Sequence, residues 1–186
     1  MQKPLSDNTK SKTEIRWYVM IAYKQESEAE RVLSGDDGLE FFIARHYIVQ
    51  EFHGKKKLRL VPVIPNVVFV HASQVQLVHF KEKYNFIKFS TWNTSDGIVY
   101  LTVSDKEMND FIRVSRSNED SLRYFTPSDL DLKKGTKVKV HGGQFDGIEG
   151  TFLRIKGKRS RQVVVILPNV LAVSVEVQPD LVEPLE

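Results

Sequence analysis

Three observations predict an α+β chain built from two small domains. Short apolar-rich strands recur along the whole length, and helical stretches introduced by capping residues fall only in the first part. Between Arg116 and Asp131 periodicity is lost, acids outnumber bases and Pro127 sits among Ser, Asp and Thr, the composition of a linker. The predicted organisation is a disordered tail at 1–13, a domain of helices on an antiparallel sheet at 14–115, a linker at 116–131 and a strand-only domain at 132–186.

In chain order, Glu14 to Ile21 alternates Ile15, Trp17, Val19 and Ile21 against Arg16, Tyr18 and Met20, which predicts a strand. Ser27 with Glu30 has capping-box spacing and predicts a helix through about Leu33, stopped near Gly35 and Gly38. Asp36-Asp37 reads as the turn at that helix end. Phe41 to Phe52 and Lys57 to Val63 are rich in aromatic and branched residues and flank His53-Gly54-Lys55-Lys56, a hairpin signal. Pro62 and Pro65 mark an edge or connection before a buried strand at Val67 to His71. Ser73 is placed to cap a helix over Gln74 to Lys83. Phe86 to Trp92 and Ile98 to Val103 form a second hairpin, and Ser104 with Glu107 opens a third helix carrying Met108, Phe111 and Ile112 as its apolar stripe.

Beyond the linker, five short strands are predicted near Thr136 to His141, Thr151 to Ile155, Gln162 to Leu167, Val170 to Val177 and Leu181 to Val182, suggesting a small closed barrel. The first leads into Gly142-Gly143-Gln144-Phe145-Asp146-Gly147-Ile148-Glu149-Gly150. Its glycines permit positive φ and sharp turns, and they hold Phe145 at a loop tip as a candidate contact. Val163 to Ile166 and Val170 to Val177 are strongly β-branched, which argues for a stable β fold with no switch to helix.

Composition narrows the function classes. The chain has 186 residues, 41% of them hydrophobic, enough for packed cores, and no cysteine, so disulfides, Cys-ligated metal and thiol nucleophiles are excluded. No apolar run is long enough for a membrane span, and the polar start carries no secretory signal; a cytoplasmic location is expected. His46, His53, His71, His79 and His141 have no metalloprotease spacing, and no nucleophile-elbow or Walker pattern occurs, so no catalytic residue, metal or cofactor is assigned. Net charge is only +3, but basic residues cluster at Lys55, Lys56, Lys57 and Arg59, and again at Arg154, Lys156, Lys158, Arg159 and Arg161. If all four of the first cluster met phosphates of a single strand, log K would fall with log salt at a slope of roughly −3. The alternative is a solvated turn that keeps strand edges soluble.

The glycine loop between two strands closely resembles the KOW motif of the NusG family of transcription elongation factors. Trp17-Tyr18-Val19 is similar to the opening of that family's N-terminal domain, Ile64-Pro65-Asn66-Val67-Val68-Phe69-Val70 sits where the family has Phe-Pro-Gly-Tyr and an apolar strand, and Val103-Ser104-Asp105-Lys106-Glu107 resembles the start of its final helix. All four signals occur in family order. Pro-Asn in place of Pro-Gly, with Ile64 and Val67 for aromatics, looks more like operon-specific paralogues such as RfaH and the factors of capsular polysaccharide operons. The resemblance implies a NusG-type N-terminal domain and an SH3-like KOW barrel.

It further implies a non-catalytic elongation and antitermination factor, acting as a monomer, that docks on the clamp helices of the largest RNA polymerase subunit. Tyr18, Ile64, Pro65, Val67 and Phe69 would form the dock. Lys24 and Arg31, with the first basic cluster, would contact non-template DNA or nascent RNA, and Phe145 with Ile148 would engage a small-subunit ribosomal protein or Rho. The competing class is an RNA-binding or ribosome-associated module gripping RNA through the KOW loop and the basic turn Lys156 to Arg161.

Overall fold

The computed structural model describes residues 12–23, 26–35, 39–95, 97–117, 121–126, 135–155 and 160–185. The chain is mixed α+β with antiparallel sheets, and it divides into two compact units, Met1–Ser104 and Asp105–Glu186. Most of the expected tail and much of the expected linker lie outside the described residues, as do Asp36-Asp37 and Gly38.

The first unit is organised by β1 (Ile15–Ala22), which pairs with β5 (Val67–Ser73) along nearly its full length, from Ile15 opposite Ser73 to Ile21 opposite Val67. β2 (Glu40–Phe42) extends the far side of β5, while β6 (Ile87–Phe89) and β9 (Thr102–Val103) share the other edge of β1. β1 and β5 are buried on both faces, which hides their alternation. One face sends Tyr18, Met20, Val68 and Val70 into a core with Ala29, Val32 and Leu33 of α1 (Glu26–Gly35) and Leu77 and Phe80 of α2 (Gln74–Lys83). The other carries Trp17, Val19, Val67 and Phe69, also buried, with the Trp17 ring stacked 4.8 Å from His71.

The helix boundaries follow from local chemistry. Ser73 caps α2 as its spacing predicts: its Oγ accepts the Gln76 N–H at 3.3 Å, and Gln76 Oε1 accepts the Ser73 N–H at 2.9 Å. Ser27 is different. α1 already begins at Glu26, so Ser27 lies inside the first turn, with Glu26 and Glu28 favourably placed at the positive helix end.

Two antiparallel ribbons belong to this unit as separate two-stranded sheets: β3 (Arg45–Phe52) with β4 (Lys55–Pro62), and β7 (Thr91–Thr94) with β8 (Gly97–Tyr100). The first turns at His53-Gly54, with φ of 49° and 71°, as a two-residue loop with both residues at positive φ should.

The second unit is one six-stranded antiparallel sheet, ordered β10 (Arg123–Phe125), β14 (Leu171–Glu176), β13 (Arg161–Leu167), β12 (Glu149–Arg154), β11 (Thr136–Val140) and β15 (Val182–Pro184). Five of these strands match the sequence prediction; β10 falls inside the expected linker. The six strands form one antiparallel sheet, and among the described residues no pairing joins β10 to β15 to close it into the barrel that sequence suggested. β10 pairs along the outer edge of β14, from Arg123 opposite Ser174 to Phe125 opposite Ala172. α3 (Asp105–Arg116) packs against β13 and β14, burying Met108, Phe111 and Val114. It therefore belongs to the second unit, whereas sequence placed it at the end of the first domain. The stripe also runs through Val114 rather than Ile112, which is only half-buried.

Candidate functional site

The expected polymerase dock is redistributed by burial. Tyr18, Val67 and Phe69 are all interior, and desolvation raises the Tyr18 phenol pKa, so these three do not present an exposed patch. Both faces of β1 and β5 are covered, one of them by the helices that pack on Tyr18, Met20, Val68 and Val70. Ile64 is half-buried and Pro65 exposed, on a turn closed by Asn66 at φ 66°. That left-handed conformation suits glycine, and asparagine tolerates it better than most residues, so Pro-Asn can occupy the backbone geometry of Pro-Gly. The Asn66 N–H donates to the Glu26 carboxylate of α1, and its carbonyl accepts the Ala22 N–H at 2.8 Å.

The β3–β4 ribbon is the hairpin that sequence predicted around the basic turn, and its register sorts the side chains into two faces. Residues directly opposite in an antiparallel ladder share a face, and successive residues alternate. Tyr47 faces Leu60 and Val49 faces Leu58, so four large apolar side chains share one side, exposed by 64%, 48%, 64% and 66% respectively. Phe52 faces Lys55, Gln50 faces Lys57 and Ile48 faces Arg59, so the other side carries three cations and an aromatic ring. Lys56, opposite Glu51, belongs to the apolar side. Sequence grouped the four cations by proximity; the period of two separates them, and it could have been applied from the turn outward.

Arg31 is exposed, but Glu28 takes its guanidinium with bonds of 2.9 and 2.6 Å, which makes it part of a surface helix pair. Lys24 lies outside the described residues, as do Lys156, Lys158 and Arg159 of the second basic cluster. From that cluster Arg154 and Arg161 face each other across β12 and β13, with Arg161 5.7 Å from the centre of the Phe152 ring.

The glycine loop has the backbone its sequence demands. Gly142, Gly143 and Gly147 adopt φ of 82°, 67° and 80°, and Asp146 Oδ1 accepts the Gly142 N–H at 2.6 Å. Gly150 is needed for space, since a Cβ there would stand 2.7 Å from the Val164 carbonyl oxygen and 2.8 Å from Val163 Cγ1. Phe145 and Ile148, however, are buried at 6% and 0% exposure, so Phe145 plugs the loop from within and neither side chain is an exposed anchor. α3 grips this loop from outside. Arg113 donates to the carbonyls of Asp146 (2.6 Å) and Gln144 (2.7 Å), Asp110 accepts the Glu149 N–H at 3.3 Å, and Lys106 bridges Asp110 (3.2 Å) and Glu149 (3.3 Å). These three residues were missed by sequence reasoning; their i, i+4, i+7 spacing on the polar side of an apolar stripe was the available signal.

A groove of about 350 Å³ lies beside this contact, lined by Lys106, Asp110, Glu149, Val164, Ile166 and Leu185. There Lys106 is engaged with both Asp110 and Glu149. Among the described residues no helix is long and apolar enough to cross a membrane. Among the described residues the chain is an α+β protein of two units, with an apolar and a basic face exposed on the β3–β4 ribbon and further large apolar side chains, Trp92, Ile98, Val99 and Tyr100, exposed on the β7–β8 ribbon. Compared with known proteins, the chain matches no family model and no curated protein.

Proposed function

We propose that the chain is a non-catalytic transcription elongation and antitermination factor of the NusG type, specialised for particular operons, with surface polysaccharide operons as the favoured target. The first unit docks on the clamp helices of RNA polymerase and the second acts as its KOW-type module, the class of unit that engages a ribosomal protein or Rho. The observation that carries this reading is the apolar face of the β3–β4 ribbon, which continues along β4 through Leu58, Leu60 and Pro62 toward the Ile64–Pro65 turn. Exposed apolar surface of this extent marks interaction sites, and burying it against a helix pair contributes about 25 cal/mol per Å². The dock is thus moved from the sheet interior to the ribbon. Support for the family comes from Asn66 at positive φ and from the glycine loop, where residues that depart from or match the resemblance meet the backbone geometry their positions require.

Binding acts by biasing a bistable clamp: a protein with higher affinity for the closed form shifts the population by that differential, favouring processive transcription. The test is titration of the full chain with purified polymerase clamp helices, beside Ile64→Asp and Leu58→Asp. Saturable binding with weak salt dependence, lost in both variants while their circular dichroism is unchanged, is the expected result. Absence of binding by the native chain, with RNA retained through the second unit, would move the protein to the RNA-binding or ribosome-associated class.

A further inference from the structure

We infer that the β7–β8 ribbon is where two copies of this chain meet, β8 of one pairing antiparallel with β8 of the other about a two-fold axis at Val99. The ribbon is a two-stranded sheet whose ladder runs from Thr91 opposite Tyr100 to Thr94 opposite Gly97, and the outer edge of β8 is unpaired among the described residues. The Leu101 N–H donates to the Ser90 carbonyl at 2.9 Å, one step beyond that ladder and in register with it. Hydrogen-bonded and non-bonded pairs alternate along an antiparallel ladder. The backbone groups of Gly97 and Val99 therefore turn to β7, and those of Ile98 and Tyr100 turn outward, each presenting an N–H and a C=O to solvent.

The strand is complementary to itself in this register. A two-fold axis keeps every side chain on its own side of the joined sheet, so only residues of like parity face each other. With the axis at Val99, that residue faces its own copy and Ile98 faces Tyr100 of the second copy, which uses all the outward backbone groups of both. One side of the sheet then carries Ile98 beside Tyr100, and the other a row of Trp92, Val99, Val99 and Trp92, because Trp92 stands opposite Val99 within each ribbon. Aromatic and β-branched residues are favourable cross-strand pairs. Charge agrees: an isologous contact sets a strand's charges against themselves, and no residue of β7 or β8 is charged. Nor is any proline. The β3–β4 ribbon, built on the same plan, sets Lys55, Lys56, Lys57 and Arg59 along β4, the usual guard against edge pairing. β7–β8 lacks that guard while exposing Trp92, Ile98 and Val99 by 50%, 72% and 46%. Its strands have only 4 residues each, so the contact falls short of the roughly 800 Å² per partner of a stable interface, and association is weak and concentration-dependent. The monomer that the resemblance implies is the dilute form. This inference does not rest on the elongation-factor reading.

Sedimentation equilibrium of the full chain should show monomer near about 1 µM and a growing dimer fraction toward about 300 µM, little changed between about 50 and 500 mM salt because no charge lies at the contact. The chain has no cysteine, so an introduced thiol is unique. Val99→Cys sets the two thiols of a dimer at a non-hydrogen-bonded pair, about 4.5 Å between Cα atoms and within disulfide reach, whereas Ile98→Cys leaves them diagonal at about 7–8 Å. Under copper-phenanthroline oxidation Val99→Cys should cross-link about tenfold faster or more. Val99→Lys, which sets like charges against each other on the axis, should weaken association about tenfold or more, and Leu58→Lys on the other ribbon should leave it unchanged. Ile98→Pro removes an outward N–H without touching the β7 ladder and should weaken association as Val99→Lys does, with circular dichroism unchanged. None of these readouts involves polymerase, so failure here and failure of the dock are told apart. A native chain that stays monomeric throughout, equal cross-linking at positions 98 and 99, or a dimer kept in Val99→Lys and lost in Leu58→Lys would each overturn the inference.

Discussion

The β3–β4 ribbon and the glycine loop of the second unit are both sharp, glycine-containing connections with an aromatic residue beside the turn, yet one is open and the other closed. Phe52 stands in solvent at 62% exposure, while Phe145 is held at 6%. The ribbon forms its own two-stranded sheet, so neither of its faces is an interior sheet face. The loop joins two strands of a six-stranded sheet, and Arg113 and Asp110 of α3 bind its backbone directly. Turn chemistry is thus a poor guide to accessibility; the presence or absence of a covering layer decides it.

The comparison breaks most sharply on the aromatic residues themselves. Phe145→Ala should cost about 3 kcal/mol or more in chemical denaturation, because it empties a buried site, whereas Phe52→Ala should stay within about 0.5 kcal/mol, as surface changes do. Similar small effects for both would show that the loop plug is not packed as described. Gly150→Ala comes next, at about 1–3 kcal/mol, since the new methyl group must displace the Val164 carbonyl or Val163; an unchanged midpoint would refute the close approach.

At the turn preceding β5, Asn66→Val should cost about 1–2 kcal/mol because a β-branched residue resists positive φ, while Asn66→Gly should be close to neutral. Equal melting temperatures for the two variants would remove the argument that Asn stands in for Gly there. The smallest effect belongs to Lys106. Burial works against its charge, but Asp110 and Glu149 outweigh burial and raise its pKa above the ordinary 10.5. Its contribution is therefore fully present below 10.5 and is lost as pH rises through the raised value. Native protein and Lys106→Met should differ by only a few tenths of a kcal/mol near neutrality, given the exposure of the ammonium. A difference that grew in alkali would contradict the sign.

Much of the fold was legible because its signals are local. Ser73 capped α2, His53-Gly54 turned the first ribbon, and five strands of the second unit fell close to their predicted positions. β10 was not legible: Arg123-Tyr124-Phe125 is too short for periodicity to register, and only the free edge of β14 makes it a strand. The candidate site was legible in part. Lys55, Lys57 and Arg59 were named from composition, but their separation from Lys56 required the pairing register.

The sequence by itself determined the α+β class, the places of its turns and the conformations its glycines take, because each depends on neighbouring backbone and side-chain direction. Tertiary structure alone decided that Tyr18, Val67 and Phe69 are interior, that α3 belongs with the second sheet, and that Phe145 is closed off while Phe52 is open. Periodicity tells which way a side chain points, but exposure depends on what distant segment comes to lie over it, and that is set by long-range packing.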